Sequence, residues 1–387
     1  MVTLKKVETP VLFFGIIFIL LFAYITHSSI GLRHLLVFLI GIGLGFSLYK
    51  SSFGFTGGWR NFVETKDSSS LRAQFIMLGL AVIVFSFVIG SKSFVYDGII
   101  IGAIAPVSIS VVVGSFIFGW AMQLGGGCGS GTLFTAGSGN TKMVVTLIFF
   151  IIGSLVGTYH FSFWSSVPSL GAISLLDNYT KTEVLIFQLG LIIFFYWLVS
   201  YFDKKNNKKF SQFNIFNFKN TNIIRGAWPL ILGSVCLVFF SFLMLHAAGH
   251  PWSVTFSFGL WGAKIITLLG VDVSNWTYWQ LSYPAIALEN SLLADPTTVS
   301  NLGIILGALI ASALSGNFSN QLPINKKLLV AAIIGGFFMG YGARLAFGCN
   351  IGALFSGIAS GSVHGWVWFL FAFIGSYFGV KTRKYFY

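Results

Sequence analysis

The chain has 387 residues, of which 56% are hydrophobic and only 9% are charged. This composition excludes an ordinary soluble globular domain and is typical of a protein embedded in a lipid bilayer. The formal net charge of +13 could indicate a nucleic-acid partner, but the basic residues follow a membrane topology instead. We therefore expect lipid, and no nucleic acid, around this chain.

Apolar runs close to the 17 to 25 residues that cross the hydrocarbon recur along the sequence. The first run follows Lys5 and Lys6 and has no small-residue cleavage pattern before Ser28, so we expect it to remain as the first helix. The runs predict ten transmembrane helices, at residues 10–27, 31–49, 72–91, 99–122, 142–160, 183–202, 229–247, 299–315, 327–345 and 364–381.

The basic residues are distributed unevenly across these predicted helices. Of the 23 Lys and Arg residues, 18 fall on the side that carries both termini, four fall on the opposite side, and Arg344 alone lies inside a span. Cytoplasmic loops of membrane proteins are enriched in Lys and Arg. The sequence therefore predicts a multi-pass protein with both termini in the cytoplasm.

Residues 112–134 recur without a gap at residues 333–355, with nine identical positions and a cysteine at the same place in each copy, Cys128 and Cys349. The polar, basic stretch 203–225 separates the two copies. Five predicted crossings lie between equivalent points, so the halves should be inverted relative to the bilayer. We predict one membrane domain over 1–387, with repeat one at about 31–160, a linker helix and basic loop at 183–225, and repeat two at about 229–381.

Glycine-rich segments surround both cysteines. Residues 124–140 contain seven glycines, and each glycine inside a helix costs about 1 kcal/mol relative to alanine. Irregular backbone at membrane depth persists only where protein or water satisfies its polar groups. We therefore expect re-entrant segments at both cysteines, joined by a second pair of short segments at 51–62 and 251–264. The predicted fold class is all-α, a polytopic membrane protein with two inverted repeats and re-entrant short helices that form an hourglass.

The two motif cysteines are the candidate functional residues. A disulfide between them would seal the path, and the sequence has neither a CxxC motif nor histidines spaced to share a metal with them. A thiol can act as a weak donor and polarizable acceptor for a soft, sulfur-bearing solute. The predicted substrate path is formed by seven residues: Cys128, Cys349, Gly127, Gly131, Gly348, Gly352 and Arg344. Cys236, in an apolar run, is expected to be a small buried hydrophobe.

Arg344 has two interpretations, since it lies five residues before Cys349 and pairs by symmetry with Gln123. An ionisable residue inside a span is a candidate for anion binding, but an arginine bonded to carbonyls near a helix end is equally common. Other polar residues near the motifs are expected to cap backbone groups: Thr132, Thr135, Asn140, Asn350 and His364. Aromatic residues of the outer segment 271–299, namely Trp276, Tyr278 and Trp279, are expected in the interfacial belt.

The segments GGGCGSGTLFTAGSGN and ARLAFGCNIGALFSGIASGSVHG resemble the two cysteine motifs of the YeeE/YedE family of bacterial inner-membrane sulfur-compound transporters. The resemblance implies uptake of thiosulfate past cysteines on the pore axis, at Cys128 and Cys349 here, and transfer of sulfur to a small cytoplasmic carrier protein. The YedE branch is associated with selenium instead. Family members commonly carry a further cysteine in the preceding short segment, where this chain has Gly54.

Two classes of function follow. The first is an inner-membrane transporter or channel for a small sulfur-containing anion, thiosulfate first and a selenium compound second. The second is a membrane sulfurtransferase with a cysteine persulfide, which would need a nearby cation to lower the thiol pKa; only Arg344 is close in sequence. We expect a transporter rather than an enzyme, with no cofactor and no metal.

Overall fold

The computed structural model describes residues 5–206, 222–318 and 325–387. These residues are almost entirely helical, with one short two-stranded sheet. Ten helical stretches among them are long and apolar enough to cross a membrane. The predicted fold class, an all-α polytopic membrane protein, is therefore confirmed.

The first half of the chain alternates long helices with short ones. Its elements are α1 (Thr9–Ser29), α2 (Leu32–Ser51), α3 (Phe55–Thr65), α4 (Ser69–Val88), β1 (Pro106–Ser108), α5 (Ile109–Gly125), α6 (Gly129–Gly137), α7 (Thr141–Tyr159), α8 (Phe161–Ser166) and β2 (Ser169–Ala172). Strands β1 and β2 pair antiparallel, with Pro106 opposite Ala172 and Ser108 opposite Ser169.

The predicted helix at residues 99–122 was wrong at its start, because α5 begins only at Ile109. Pro106 disfavours helical backbone at the residue before it. The Ser108 side chain then accepts a hydrogen bond from Val111 N at 3.3 Å and caps the new helix. The run before Pro106 is as apolar as a membrane helix but has no regular secondary structure at residues 101–105.

The second half repeats the alternation. Its elements are α9 (Lys181–Asn206), α10 (Leu230–Ala248), α11 (Thr255–Leu268), α12 (Ser282–Glu289), α13 (Pro296–Leu314), α14 (Lys326–Leu345), a π-helical turn (Asn350–Phe355) that continues into α15 (Ser356–Ala359), and α16 (Val363–Arg383). The predicted linker helix is α9, and the centre of the predicted basic loop, residues 207–221, lies outside the described residues.

Small residues allow the long helices to pack closely. A Cβ placed on Gly153 of α7 would lie 1.9 Å from the carbonyl oxygen of Phe337 on α14. A Cβ on Gly375 of α16 would lie 2.0 Å from the carbonyl oxygen of Phe116 on α5. Backbones in contact at glycine are a common way to join helices in a bilayer, where burial from water contributes little between helices.

The outer segment before α13 folds inward onto the helices. Tyr278 and Trp279 are 8% and 2% exposed, in a buried cluster with Leu260 of α11. The prediction that they belong to the interfacial belt was wrong, whereas Trp276 is only partly buried. Burial raises the pKa of Tyr278, so its hydroxyl stays protonated and can accept a hydrogen bond.

Candidate functional site: two cysteines where short helices meet

Cys128 lies in the break between α5 and α6. Helix α5 ends at Gly125 and is capped by Gly126, which has a left-handed φ of 93°. Cys128 occupies the N-cap position of α6. The backbone amide and the hydroxyl of Thr132 both donate to the Cys128 carbonyl at 2.8 Å. The Cys128 thiol is 1% exposed, and its Sγ lies 3.6 Å from Ser130 Oγ.

Cys349 occupies the equivalent break after α14. It precedes the π-helical turn, and the Ile351 amide donates to its Sγ at 3.5 Å. The thiol is fully buried. Both Cys128 and Cys349 are free thiols. Each half therefore presents one buried thiol at the start of a short helical segment.

The two breaks meet each other. A Cβ placed on Gly129, the residue after Cys128, would lie 2.9 Å from Cys349 Sγ and 3.4 Å from the side chains of Val254 and Thr255. The Cys349 thiol thus lies directly against the first residue of α6, at the beginning of α11. We refer to this meeting point of Cys128, Gly129, Cys349 and Thr255 as the neck.

The four predicted path glycines differ in their surroundings. A Cβ on Gly127 would lie 3.0 Å from the backbone of Gly131. A Cβ on Gly348, whose φ is 151°, would lie 2.7 Å from the Ala353 amide nitrogen. A Cβ on Gly131 would lie 3.4 Å from Cys128 Sγ, whereas one on Gly352 meets only Ser253 Oγ at 3.7 Å. Gly127 and Gly348 are therefore required by backbone packing, and Gly131 faces a thiol.

Arg344 is bonded to protein acceptors beside the neck. Its guanidinium donates to Ser154 Oγ at 3.0 Å, to the Thr255 carbonyl at 2.6 Å and to the Tyr278 hydroxyl, and lies 4.9 Å from the centre of the Tyr278 ring. Its Nε has no hydrogen-bond partner among the described residues. Arg344 therefore joins α7, α11 and the outer segment, and keeps a positive charge near the neck.

Gln123 makes the contacts that correspond to those of Arg344. Its Nε2 donates to the Thr56 carbonyl at 3.1 Å and to Ser376 Oγ at 2.8 Å. In both halves, a donor on the helix before the cysteine binds the first turn of a short helix and a serine of the helix that follows the other half's cysteine motif. The sequence pairing of Gln123 with Arg344 identified the position, but not these partners.

Two of the other polar residues near the motifs bind the backbone, as predicted. Asn140 Oδ1 accepts from the Met143 amide at 3.1 Å and caps α7, and the Thr132 hydroxyl donates to the Cys128 carbonyl. His364 does not cap a backbone group: its Nδ1 lies 2.7 Å from Ser362 Oγ, and its Nε2 has no partner among the described residues. Asn350 is different: it is fully buried, and neither Nδ2 nor Oδ1 has a partner among the described residues. No feature of the sequence distinguished Asn350 from the capping residues.

Comparison with known proteins identifies the family. Residues 50–378 match the family described as Sulphur transport. The chain belongs to this family. The match includes both cysteine motifs and the intervening helices, which confirms the resemblance to the YeeE/YedE family.

Relatives from this family differ in how much of the chain they cover. The probable transporter YedE of Salmonella typhimurium is 34% identical over 165 residues, which is 43% of this chain and only 40% of that relative. The thiosulfate transporter TsuA of Spirochaeta thermophila is 24% identical over 365 residues, 88% of this chain and 96% of the relative. The TsuA protein of Escherichia coli is also 24% identical, over 87% of this chain and 90% of its own length.

The position of the further family cysteine is open in this member. Gly54 is the N-cap of α3, with an extended backbone (φ −127°, ψ 124°). A Cβ there would approach only the Ser52 carbonyl oxygen, at 4.0 Å. The remaining cysteine, Cys236, is partly buried on α10 and does not replace it. The site thus has two thiols, with room for a side chain at residue 54.

Proposed function

We propose that this protein is an inner-membrane uptake transporter or channel for a small sulfur-containing anion, with thiosulfate as the substrate, conducted past Cys128 and Cys349. The observation that carries the proposal is the contact at the neck, where Cys349 Sγ abuts Gly129 next to Cys128. A solute that crosses here meets both thiols in turn. Thiols are soft, weak hydrogen-bond donors and suit the terminal sulfur of such an anion.

In our proposal, the two halves of the chain are repeats with inverted membrane topology that meet at the neck. Gly153 and Gly375 make matching contacts with Phe337 and Phe116, which lie 221 residues apart like the two cysteines. The matching contacts of Gln123 and Arg344 support the same relation. Repeats inverted in the membrane plane commonly place a transported solute at their interface.

The charge around the neck favours an anion. Arg344 lies on one side, and on the other Lys142 donates to the Gly125 carbonyl at 2.8 Å while Arg383 donates to the Gln123 carbonyl at 2.8 Å. The helix α11 also begins at the neck, where the positive end of its dipole points at the thiols. An anion would therefore find compensating positive charge on both approaches.

The orientation follows from the basic residues, of which 18 lie on the side of the termini. Uptake would therefore start at the outer segment that contains Tyr278 and end near Arg383 and the α16 terminus. A small cytoplasmic sulfur-carrier protein at this inner end is part of the proposal, from the family resemblance alone.

The experiment that tests the proposal is uptake of labelled thiosulfate into proteoliposomes that contain the purified full chain, with sulfite, sulfate and selenite as competitors. We expect uptake by the wild type and its loss in Cys128→Ala and Cys349→Ala. Cys236→Ala is the matched control and should retain uptake. No thiosulfate uptake by the wild type, or full uptake by both neck variants, would overturn the proposal.

The same preparations separate a transporter from a sulfurtransferase. A transferase would retain one added sulfur on Cys128 or Cys349 after incubation with thiosulfate, as intact-mass spectrometry can measure. A stoichiometric adduct without uptake would establish the enzyme. Uptake without an adduct supports the transporter, and preferential competition by selenite would shift the substrate to a selenium compound.

A further inference from the structure

An unpartnered amide lies next to one of the neck thiols. The Asn350 side chain directly follows Cys349, is 0% exposed, and has no hydrogen bond at either Nδ2 or Oδ1 among the described residues. Buried side-chain polar atoms in proteins are nearly always hydrogen-bonded, and the exceptions call for an explanation. The nearby Asn301 has a partner for one of its two atoms, because its Nδ2 donates to the Val254 carbonyl at 2.9 Å while its Oδ1 has none among the described residues. Asn350 lacks a partner at both atoms.

The internal pairing of the sequence places this amide in the neck. Under the 221-residue offset Asn350 corresponds to Gly129, which lies against Cys349 Sγ and Thr255. The same symmetry predicts Cys128 and Thr56 as the neighbours of Asn350. The beginning of α3 lies close to the π-helical turn, because Phe55 lines one small cavity together with Leu354 and Phe355.

Thr56, in the first turn of α3, provides a second unpartnered group. Its side chain is 2% exposed and its Oγ1 has no hydrogen bond among the residues the structure describes. Its carbonyl is held by Gln123 Nε2 at 3.1 Å, so the first turn of α3 is fixed while its hydroxyl is free to bind. Thr255, the corresponding residue of α11, instead faces Gly129 with its methyl group.

The two halves of the neck therefore differ. The segment after Cys349 is π-helical over Asn350–Phe355, whereas the segment after Cys128 is a regular α-helix. One extra residue follows the second cysteine, since Gly153 corresponds to Gly375 at an offset of 222. π-helical turns inside α-helices are frequent at functional sites. One side of the neck thus has glycine and a methyl group, and the other an amide and a hydroxyl.

We propose that Asn350 and Thr56 form an oxyanion-binding site in the neck, which holds the oxygens of the transported anion while its terminal sulfur faces the thiols. The inference rests on the proposed function. An amide N–H and a hydroxyl donate to oxygen, and a thiol suits sulfur. Recognition at both ends would select a thiosulfate-like anion over sulfate, which lacks the soft sulfur, and over hydrosulfide, which lacks the oxygens.

The test measures initial rates of labelled thiosulfate uptake in proteoliposomes for the wild type and for Asn350→Ala, Asn350→Asp and Thr56→Val. We expect KM to rise about tenfold or more for Asn350→Ala and several-fold for Thr56→Val, because a hydrogen bond to a charged group is lost. Asn350→Asp has the same shape but repels an anion, and should lose uptake almost completely. Thr158→Val removes a buried hydroxyl that donates to the Leu155 carbonyl on α7 and is the matched control.

The readouts distinguish binding from folding. A structural role would lower Vmax and the melting temperature of the detergent-solubilised protein with KM unchanged, and that result would overturn the inference. Stabilisation by added thiosulfate, measured as a shift in melting temperature, should be present in the wild type and in Thr158→Val and absent in Asn350→Asp. Wild-type uptake together with an unchanged KM in all three site variants refutes the oxyanion site alone. No uptake by the wild type refutes the proposed function.

Discussion

The contact between Gly129 and the Cys349 thiol gives the sharpest prediction. In Gly129→Ala the new Cβ would lie 2.9 Å from Cys349 Sγ, about 0.6 Å or more inside the usual 3.5 to 4.0 Å separation of non-bonded heavy atoms. Overpacking of this kind costs about 1 to 3 kcal/mol, and the gain from placing alanine in a helix offsets at most about 1 kcal/mol. We expect a net loss of about 1 to 2 kcal/mol in stability, or a displaced thiol.

Transport should be affected more than folding. If the strain falls on the Cys349 thiol in the path, an energy of about 1.4 kcal/mol corresponds to a tenfold change, so we expect thiosulfate uptake in proteoliposomes to fall about tenfold or more. The matched control is Gly190→Ala on α9, outside the predicted path, where the new Cβ meets no atom within 4 Å and uptake should stay near that of the wild type.

A second variant isolates the clash itself. Removal of Sγ in Gly129→Ala/Cys349→Ala should restore the melting temperature of the purified protein to that of Cys349→Ala, although uptake remains lost. Uptake by Gly129→Ala within twofold of Gly190→Ala would show that the thiol does not lie in the path. A double variant no more stable than Gly129→Ala would show that the collision is elsewhere.

Three further predictions test the surroundings of the neck. Arg344→Gln, which introduces the residue found at the equivalent position Gln123, should lose the bond to Tyr278 and lower the melting temperature by several degrees. Tyr278→Phe should lower the melting temperature less, because the ring remains. Equal effects of the two variants would contradict the role of Arg344 in joining the helices. Gly54→Cys should fold and melt like the wild type, since nothing blocks a side chain there. Reaction of the new thiol with a small maleimide would confirm that the position is open, and failure of the variant to fold would contradict it. Reporter fusions at both termini should be active only in the cytoplasm, and an external terminus would end the inverted-repeat proposal.

Much of the architecture was predictable because the bilayer imposes simple rules. Apolar runs long enough to span the membrane give the number of membrane helices, and the recurrence of residues 112–134 at 333–355 identifies both cysteines. The start of α5 was missed because hydropathy does not distinguish an apolar segment without regular structure from a helix. Pro106 and the Ser108 cap set the boundary of α5. The burial of Tyr278 was missed because the local sequence around an aromatic residue near a helix end does not show whether the ring faces lipid or Arg344.

The chemistry of the neck could be located from sequence but not described. The sequence by itself determined that the chain is a polytopic membrane protein with two registered cysteine motifs, since length, hydropathy and internal similarity are properties of the linear chain. Only the tertiary structure decided that Cys349 lies against Gly129, that Arg344 is bonded to three protein acceptors, and that Asn350 has no partner. These facts depend on contacts between residues that are 66 to 220 positions apart. Which polar atoms find partners across such separations is set by helix packing rather than by local pattern.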